Sequence, residues 1–283
     1  MLTTYAEKYF RTRDGLRIYY RDYGKAIAGK APILCLAGSS SNIRSFEHVA
    51  PRLAEGRRVL AMDWRGHGRS DYDPNYQNYG FDTDMQDVLD LLAHEKIPQV
   101  IIIGTSRGGI ITMWMAAHHP DVLAGAIMND MGPAGTVEGM ARLQKNFGLP
   151  NEFATFEEAA LALRDRQVPG IDLTPAGWLR HARQYFRQDA DSKVRPDFDP
   201  GYALGFREMK GRRDNWDQFA AMAKIPTLVV RGIVSDILDQ PTVEEMKRRK
   251  PDLQVCIVPG RAHCPYLDEP ESIAAIDAFL AKV

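Results

Sequence analysis

Residues 100–109 read VIIIGTSRGG, a run of branched aliphatic residues followed by a serine between glycines. The aliphatic run predicts a buried central β-strand, and the residues after it fit the G-x-S-x-G pattern of a nucleophile elbow. Where a strand reverses abruptly into a helix, the middle residue is held in a strained backbone conformation, and side chains two positions away would collide. The pattern therefore predicts that Ser106 stands above the edge of a sheet, at the start of a helix.

The segments on either side of this stretch alternate between short apolar runs and helical runs. Strands are predicted in PILCLAG, RVLAMDW, VIIIG, GAIMND, TLVVRG and LQVCIVPG, and helices near 46–55, 83–94, 107–118, 216–223, 243–250 and 272–281. Strands that are almost wholly apolar and separated by helices indicate a parallel sheet covered on both faces. Two alternating segments, 5–12 and 16–23, flank Asp14-Gly15 and predict an antiparallel hairpin before that sheet.

The alternation stops between residues 133 and 213, where helical segments are separated by Pro and Gly and no strand pattern is convincing. We therefore interpret residues 133–213 as a helical insertion between two strands, with residues 1–132 and 214–283 forming one core domain. The insertion is rich in aromatic residues, among them Trp178. Most of these should build a core for the insertion, and a few should line an apolar substrate pocket.

The composition excludes several classes of function. The chain has 45% hydrophobic and 26% charged residues and a formal net charge of -1, which gives no electrostatic footprint for nucleic acid. No apolar run approaches the roughly 20 residues that span a bilayer, and the N-terminal segment lacks the apolar stretch of a signal peptide. Cys35, Cys256 and Cys264 form neither a disulfide framework nor a metal-ligand pattern. We expect a cytoplasmic protein with no metal and no membrane partner.

A serine nucleophile needs a base to take its proton and a third group to orient that base. His263 follows the predicted strand LQVCIVPG in a short loop, and Asp236 follows TLVVRG. Both would reach the carboxyl edge of the sheet together with Ser106, in the chain order serine, acid, histidine that is typical of this elbow. We predict Ser106, Asp236 and His263 as the catalytic residues. Asp130, which ends GAIMND, is the rival acid.

Several motifs together make the chain resemble the α/β-hydrolase fold superfamily, and the likeness covers nearly all of it except the insertion. These motifs are LAGSS, DWRGHGRSD, GTSRGG, RGIVSDIL and GRAHCPYLDEP. The resemblance implies an eight-stranded, mostly parallel sheet, a helical cap at 133–213 after the sixth strand, serine hydrolase chemistry and no cofactor. Some members take their acid from the position of Asp130, which keeps this alternative open beside Asp236.

The resemblance also implies an oxyanion hole made by the backbone amides of Ser39 and Arg107. Many relatives have His-Gly in the first of these loops where this chain has Ala37-Gly38, so the anchoring of the loop is in doubt. The Arg107 side chain either holds a substrate carboxylate or forms a structural ion pair, and we favour the ion pair. Gly38 and Trp178 are our candidate substrate-binding residues.

These features predict a hydrolase that cleaves a small carboxylic ester or lactone through an acyl-enzyme. Two alternatives remain open at the level of sequence. One is carbon-carbon bond hydrolysis of a β-diketone or ring-fission product, and the other is a ligand-binding receptor on the same fold. The expected partner is a small-molecule substrate, and the oligomeric state is left open between a monomer and a homodimer.

Overall fold

A computed structural model describes residues 5–147, 151–208 and 214–283 of the chain. The strands are β1 (Tyr5–Arg11), β2 (Arg17–Tyr23), β3 (Ile33–Leu36), β4 (Val59–Met62), β5 (Val100–Thr105), β6 (Leu123–Asn129), β7 (Phe186–Gln188), β8 (Val194–Pro196), β9 (Thr227–Gly232) and β10 (Gln254–Val258). Eight of them form one sheet in the order β1-β2-β4-β3-β5-β6-β9-β10. The predicted eight-stranded fold is confirmed.

In this order, the strands β4, β3, β5, β6, β9 and β10 are parallel to one another, and β2 is antiparallel to both of its neighbours. β2 pairs antiparallel with β1 on one side and with β4 on the other. The predicted hairpin is therefore present, and Gly15 in its turn has a φ of 94°, a conformation that favours glycine. All residues of β3, β4 and β5 are buried, as expected for parallel strands with helices on both faces.

The helices cover both faces of this sheet. They are α1 (Ala50–Leu53), α2 (Phe81–His94), α3 (Arg107–His118), α4 (Val137–Phe147), α5 (Phe156–Asp165), α6 (Pro175–Tyr185), α7 (Pro200–Glu208), α8 (Trp216–Ala221), α9 (Gln240–Arg249) and α10 (Pro270–Leu280). One hydrophobic cluster joins α2, α3, α8 and α9 to the sheet, and a second joins α1 and α10 to the opposite face. No helix in the described ranges has the length and apolar character needed to cross a membrane.

The helix predicted at 46–55 is shorter than expected. A 3-10 turn spans Ile43–Phe46, and α1 begins only at Ala50. Pro51 explains the break, because proline has no backbone N–H to donate into a preceding turn but is well tolerated at the start of a helix. The prediction of one continuous helix is therefore wrong here.

The helical insertion follows β6, as predicted, and contains α4 to α7. It also contains an antiparallel hairpin of β7 and β8, which the sequence did not indicate. Its strands have 3 residues each, too short to show an alternating pattern. The insertion has hydrophobic clusters of its own, one around Trp178 and Phe186 and another around Phe198 and Tyr202.

The insertion is tied to the core by backbone pairing and by ion pairs. The two ends of the insertion lie side by side, because the Asn215 N–H donates to the Pro133 carbonyl at 2.8 Å. Arg180 of α6 lies 2.7 Å from Asp268, and Arg44 of the core donates to Asp197 at 2.6 Å. The insertion is therefore held against the carboxyl edge of the sheet at several points.

We expect Gly104→Ala to destabilise the protein. A Cβ at this position would lie 2.5 Å from backbone atoms of Gly108, so β5 and α3 would have to separate. Overpacking of this kind typically lowers the free energy of unfolding by about 1–3 kcal/mol. Urea unfolding followed by circular dichroism measures the effect. Gly56→Ala is the matched control, because the nearest atom to its Cβ would be 4.0 Å away; equal stabilities of the two variants would contradict the prediction.

Candidate active site

Ser106 lies on the tight turn between β5 and α3. Its backbone has a φ of 50° and a ψ of -109°, a strained conformation for a residue with a side chain. The turn can close because Gly104 and Gly108 have no side chains: a Cβ on Gly108 would lie 2.4 Å from the Leu36 carbonyl oxygen. The Ser106 N–H donates to the Asn129 carbonyl at 3.1 Å, which fixes the turn to β6. The elbow predicted from the sequence is present.

His263 lies beside the serine, as predicted. Its Nε2 is 2.9 Å from the Ser106 Oγ, and its Nδ1 is 2.7 Å from Oδ2 of Asp130. A nitrogen that faces a carboxylate carries the proton, so Nδ1 donates to Asp130 and Nε2 is free to accept from the serine hydroxyl. The three side chains therefore form a continuous hydrogen-bonded chain from hydroxyl to carboxylate.

Asp236 does not take part in this chain, and its predicted placement beside His263 is wrong. Its carboxylate instead accepts two hydrogen bonds from Arg142 of α4, at 2.5 and 2.8 Å. After β9 the backbone turns, with the Ser235 N–H donating to the Gly232 carbonyl at 3.0 Å. This turn directs the Ser235 hydroxyl towards Asp130, while Asp236 pairs with the insertion.

Asp130 is held in place by the same turn. Its Oδ1 accepts from the Gly232 N–H at 2.9 Å, and its Oδ2 accepts from the Ser235 hydroxyl at 2.5 Å. The Ser235 oxygen in turn accepts from the amides of Ile237 and Leu238. A carboxylate that accepts from several donors is fixed in orientation. The role of Ser235 was missed, since nothing in the sequence relates it to a residue 105 positions earlier.

The surroundings of His263 act on its pKa in opposite directions. Burial of the ring opposes protonation, whereas Cys264 and the hydrogen bond to Asp130 favour it, and together they raise the pKa of His263 above its ordinary value of 6.5. Burial also raises the pKa of the Cys264 thiol. Because a thiol with a raised pKa is uncharged at neutral pH, Asp130 is the carboxylate that stabilises the imidazolium.

The loop after β3 lies against Ser106, and other residues anchor it although it has Ala37-Gly38 in place of His-Gly. A Cβ on Gly38 would lie 3.4 Å from that of Ser106, so this residue is at the site, as predicted. The Trp64 indole donates to the Ala37 carbonyl at 2.9 Å, and the Gly38 N–H donates to the Ser41 hydroxyl at 3.2 Å. These contacts supply the anchoring that the sequence left in doubt.

His67 is a further anchor of this loop that the sequence did not reveal. Its Nε2 lies 2.9 Å from the Ser39 carbonyl and its Nδ1 lies 3.1 Å from the Arg65 carbonyl. Burial and the charge of Arg107 lower the pKa of His67 to about 4, so the ring is neutral and donates to one of the two carbonyls at a time. The only hint in the sequence is its place in the glycine-rich stretch RGHGRS.

The Arg107 side chain forms the structural ion pair that we favoured. Its Nε donates to Oδ2 of Asp84 at 2.6 Å, and both residues are buried. The guanidinium also lies over the rings of Tyr202, at 4.6 Å, and Trp64, at 5.5 Å. The backbone amides of Arg107 and Ser39 donate to no protein acceptor within the described residues, which leaves both of them available at the site.

Two chambers open at Ser106. The first, here called the large chamber, has a volume of about 590 Å³ and is lined mostly by apolar side chains, including Ile110, Met131, Met140, Leu143, Phe206 and Ile237. The second, the small chamber, has a volume of about 110 Å³ and includes Arg142, Asn146, Asn151, Arg166, Gln167 and His263 in its lining. Trp178 lines neither of them and packs within the insertion, so the structure does not bring it to Ser106.

No group of three or more His, Cys, Asp or Glu side chains in the described ranges is arranged to hold a metal ion. The polar side chains joined to Ser106 are the imidazole of His263 and, behind it, the carboxylate of Asp130. Such a set can remove a proton from a hydroxyl and donate it to a leaving group.

A parallel sheet with a strained serine at its centre and an imidazole brought from the loop after its last strand defines an α/β hydrolase. The sequence profile of the alpha/beta hydrolase family matches residues 33–276, so the chain belongs to that family. The chain is therefore a hydrolase of this fold.

Individual relatives cover almost the whole chain. It is similar to the 3-hydroxybutyrate-oligomer hydrolase of Cupriavidus necator, with 29% identity, 93% of this chain and 92% of that protein covered. The 2-(acetamidomethylene)succinate hydrolase of Mesorhizobium japonicum is 28% identical, with 89% of each chain covered. Among solved structures, an alpha/beta hydrolase from Novosphingobium aromaticivorans has a TM-score of 0.93 and 37% identity, with both chains covered completely.

We expect the pKa of His263 to lie above 6.5 in the wild-type protein and to fall in Asp130→Asn, because the substitution removes the charge that stabilises the imidazolium. Nuclear magnetic resonance titration of the ring measures both values. Asp236→Asn is the matched control and should leave the pKa of His263 unchanged, since Asp236 pairs with Arg142. A fall in Asp236→Asn alone would contradict the geometry described above.

Proposed function

We propose that the protein hydrolyses small carboxylic esters or lactones through a serine acyl-enzyme. The observation that carries the proposal is the contact of the Ser106 Oγ with Nε2 of His263 at 2.9 Å, continued from Nδ1 to Asp130 at 2.7 Å. A serine hydroxyl is a weak nucleophile unless a base removes its proton as it attacks. We assign the base to His263 and its orientation to Asp130, in place of Asp236.

In the first half of the reaction, Ser106 attacks the carbonyl carbon while its proton passes to Nε2 of His263. The carbonyl π electrons move onto oxygen, and the amides of Ser39 and Arg107 stabilise the resulting oxyanion. When this intermediate collapses, the bond to the alcohol oxygen breaks and the alcohol leaves with the proton from Nε2. The acyl group stays on the serine.

In the second half, a water molecule gives a proton to Nε2 and its oxygen adds to the acyl carbon. Collapse of this second intermediate returns the proton to Ser106 and releases the carboxylic acid. Asp130 accepts from Nδ1 throughout and stabilises each imidazolium that forms. Loss of one oxyanion donor typically costs about 10² to 10³ in rate, so the loop held by His67 and Trp64 bears directly on turnover.

One relative supports ester cleavage. The Cupriavidus necator protein is named for hydrolysis of an oligomer of 3-hydroxybutyrate, whose units are joined by ester bonds. The apolar lining of the large chamber also suits a short hydrophobic part of a substrate. These observations favour a small ester over a large polymer as the substrate.

We expect Ser106→Ala to abolish hydrolysis of 4-nitrophenyl acetate, with a loss of about 10⁶ in kcat as is typical when the nucleophile of such a triad is removed. Circular dichroism should show an unchanged fold. The control is Ser192→Ala, in the exposed turn between β7 and β8, which should hydrolyse the ester like the wild type. Turnover retained by Ser106→Ala would refute the assignment.

Labelling of the serine and a wider panel of substrates separate the alternatives. Rapid labelling of Ser106 by a fluorophosphonate, with a burst of alcohol before the steady state, is the expected result for an acyl-enzyme. Cleavage of β-diketones without cleavage of esters would indicate a carbon-carbon hydrolase. Absence of both labelling and turnover across esters, lactones and diketones would indicate a receptor.

A further inference from the structure

The loop that carries Ser39 is bonded to the insertion as well as to the core. This loop leads into the 3-10 turn Ile43–Phe46, and two polar side chains at this junction meet the same carboxylate. The Asn42 Nδ2 donates to Oδ2 of Asp197 at 3.0 Å, and the Arg44 Nη1 donates to that oxygen at 2.6 Å. Asp197 directly follows β8 and is buried. A carboxylate of the insertion therefore holds the chain shortly after Ser39.

Arg44 binds the insertion with all three of its side-chain nitrogens. Besides the ion pair with Asp197, its Nε donates to the Arg183 carbonyl at 2.8 Å and its Nη2 donates to the Phe186 carbonyl at 3.0 Å. Arg183 lies in the last turn of α6, where a positive charge is favourable because the helix carbonyls point there. A planar guanidinium with fixed acceptors for each nitrogen keeps a single orientation. The start of the 3-10 turn is therefore fixed relative to the insertion.

The backbone of Asp197 supports Ser39 by a second route. The Gly68 N–H donates to the Asp197 carbonyl at 3.0 Å, next to His67, whose Nε2 lies 2.9 Å from the Ser39 carbonyl. The following residue of the insertion, Phe198, forms a β-bridge with His67, and the centres of the two rings are 5.6 Å apart. Side chain and main chain of Asp197 therefore both lead to Ser39, one along the loop and the other through His67.

The core also holds this segment. Asp63 accepts from the Ile43 N–H at 2.8 Å, between the two residues that bond to Asp197. An amide stabilises an oxyanion only when it lies about 2.7–3.1 Å from that oxygen, and a misplacement of about 1 Å can cost about 10² in rate. Correct placement of the Ser39 amide, which the proposed mechanism uses, therefore depends on the core and the insertion together.

We propose, on the basis of the proposed ester hydrolysis, that Asp197 is a positioning residue for the oxyanion hole. Its carboxylate acts through Asn42 and Arg44. Its carbonyl acts through the residue next to His67, which holds Ser39. Asp197 is absent from the described lining of both chambers, so its effect on the reaction passes through the loop and not through contact with a substrate. In this arrangement the insertion takes part in stabilising the transition state.

The test is Asp197→Asn, which keeps the shape of the side chain and removes its charge. We expect kcat/KM for 4-nitrophenyl acetate to fall about 10- to 100-fold, less than for loss of a whole oxyanion donor. Inhibition by trifluoroacetone reports on the oxyanion hole directly. The Ser106 Oγ bonds to its carbonyl carbon, the hydroxyl proton passes to Nε2 of His263, and the carbonyl oxygen becomes an oxyanion. The Ki of trifluoroacetone should rise by the same factor as kcat/KM falls. The Ki of 4-nitroacetanilide, an amide of the substrate's shape that binds without forming an oxyanion, should stay unchanged.

Asp189→Asn is the matched control. Asp189 directly follows β7 in the same insertion and forms ion pairs with Arg187 at 2.7 Å and Arg195 at 3.0 Å, both of which belong to the insertion. Arg187 also bonds to Asp197, so the control disturbs the same hairpin without removing the acceptor of the loop. We expect this variant to keep the wild-type kcat/KM and both wild-type Ki values.

A second pair of variants acts from the core. Arg44→Gln removes the charged partner of Asp197 and should produce the same pattern of kcat/KM and Ki values, whereas Arg44→Lys should retain more of the activity because it keeps the charge. If circular dichroism shows that Asp197→Asn does not fold, these two variants decide between the outcomes.

A wild-type kcat/KM in Asp197→Asn would overturn this inference while leaving ester hydrolysis intact. So would a loss of kcat/KM with an unchanged Ki for trifluoroacetone, because the effect would then lie outside the oxyanion hole. An equal loss in Asp189→Asn would show a general effect of the insertion and would also overturn it. If the wild type neither hydrolyses 4-nitrophenyl acetate nor binds trifluoroacetone, the proposed function itself fails, and this inference with it.

Discussion

The close crossing of β5 and α3 at residues 104–108 is the constraint on which the rest of the site depends. Because Gly104 and Gly108 have no side chains, α3 begins directly above the sheet and the Leu36 carbonyl packs against Gly108. The strained backbone of Ser106 follows from this crossing, and so does the position of the Arg107 amide at the first turn of the helix. The surrounding sheet holds this conformation, because Gly104 pairs with β3 and β6 and Thr105 pairs with β6.

The sequence was sufficient to predict this crossing because it is a local feature. The main-sheet strands, the hairpin at Asp14-Gly15 and most helices could likewise be predicted from the sequence, since each buries a continuous or periodic apolar face. The carboxylate that meets His263 was not, because Asp130 and Asp236 both follow strands and both fit the order of serine, acid and histidine. The choice depends on the turn after β9, where Ser235 bonds to Asp130 while Asp236 pairs with Arg142. Such long-range pairing leaves no pattern in a single sequence.

Other parts of the site were beyond sequence reasoning for the same reason. The anchoring of the loop after β3 comes from Trp64 and His67, which lie in a different loop. Trp178 was selected for its residue type, but an aromatic side chain in an insertion serves equally well as core, and here it packs with Phe186. The division of the pocket into two chambers depends on how the insertion folds over the sheet, which periodicity does not define.

Ser106 and Asp130 directly follow the neighbouring strands β5 and β6, and the Ser106 N–H is bonded to the Asn129 carbonyl, one residue before Asp130. The backbone thus fixes the positions of Ser106 and Asp130 relative to each other. The third member is different: His263 sits in a loop whose Tyr266 hydroxyl bonds to His181 of the insertion at 2.8 Å. The imidazole is therefore held in part by a contact with the insertion, whereas Ser106 and Asp130 are held by the sheet alone.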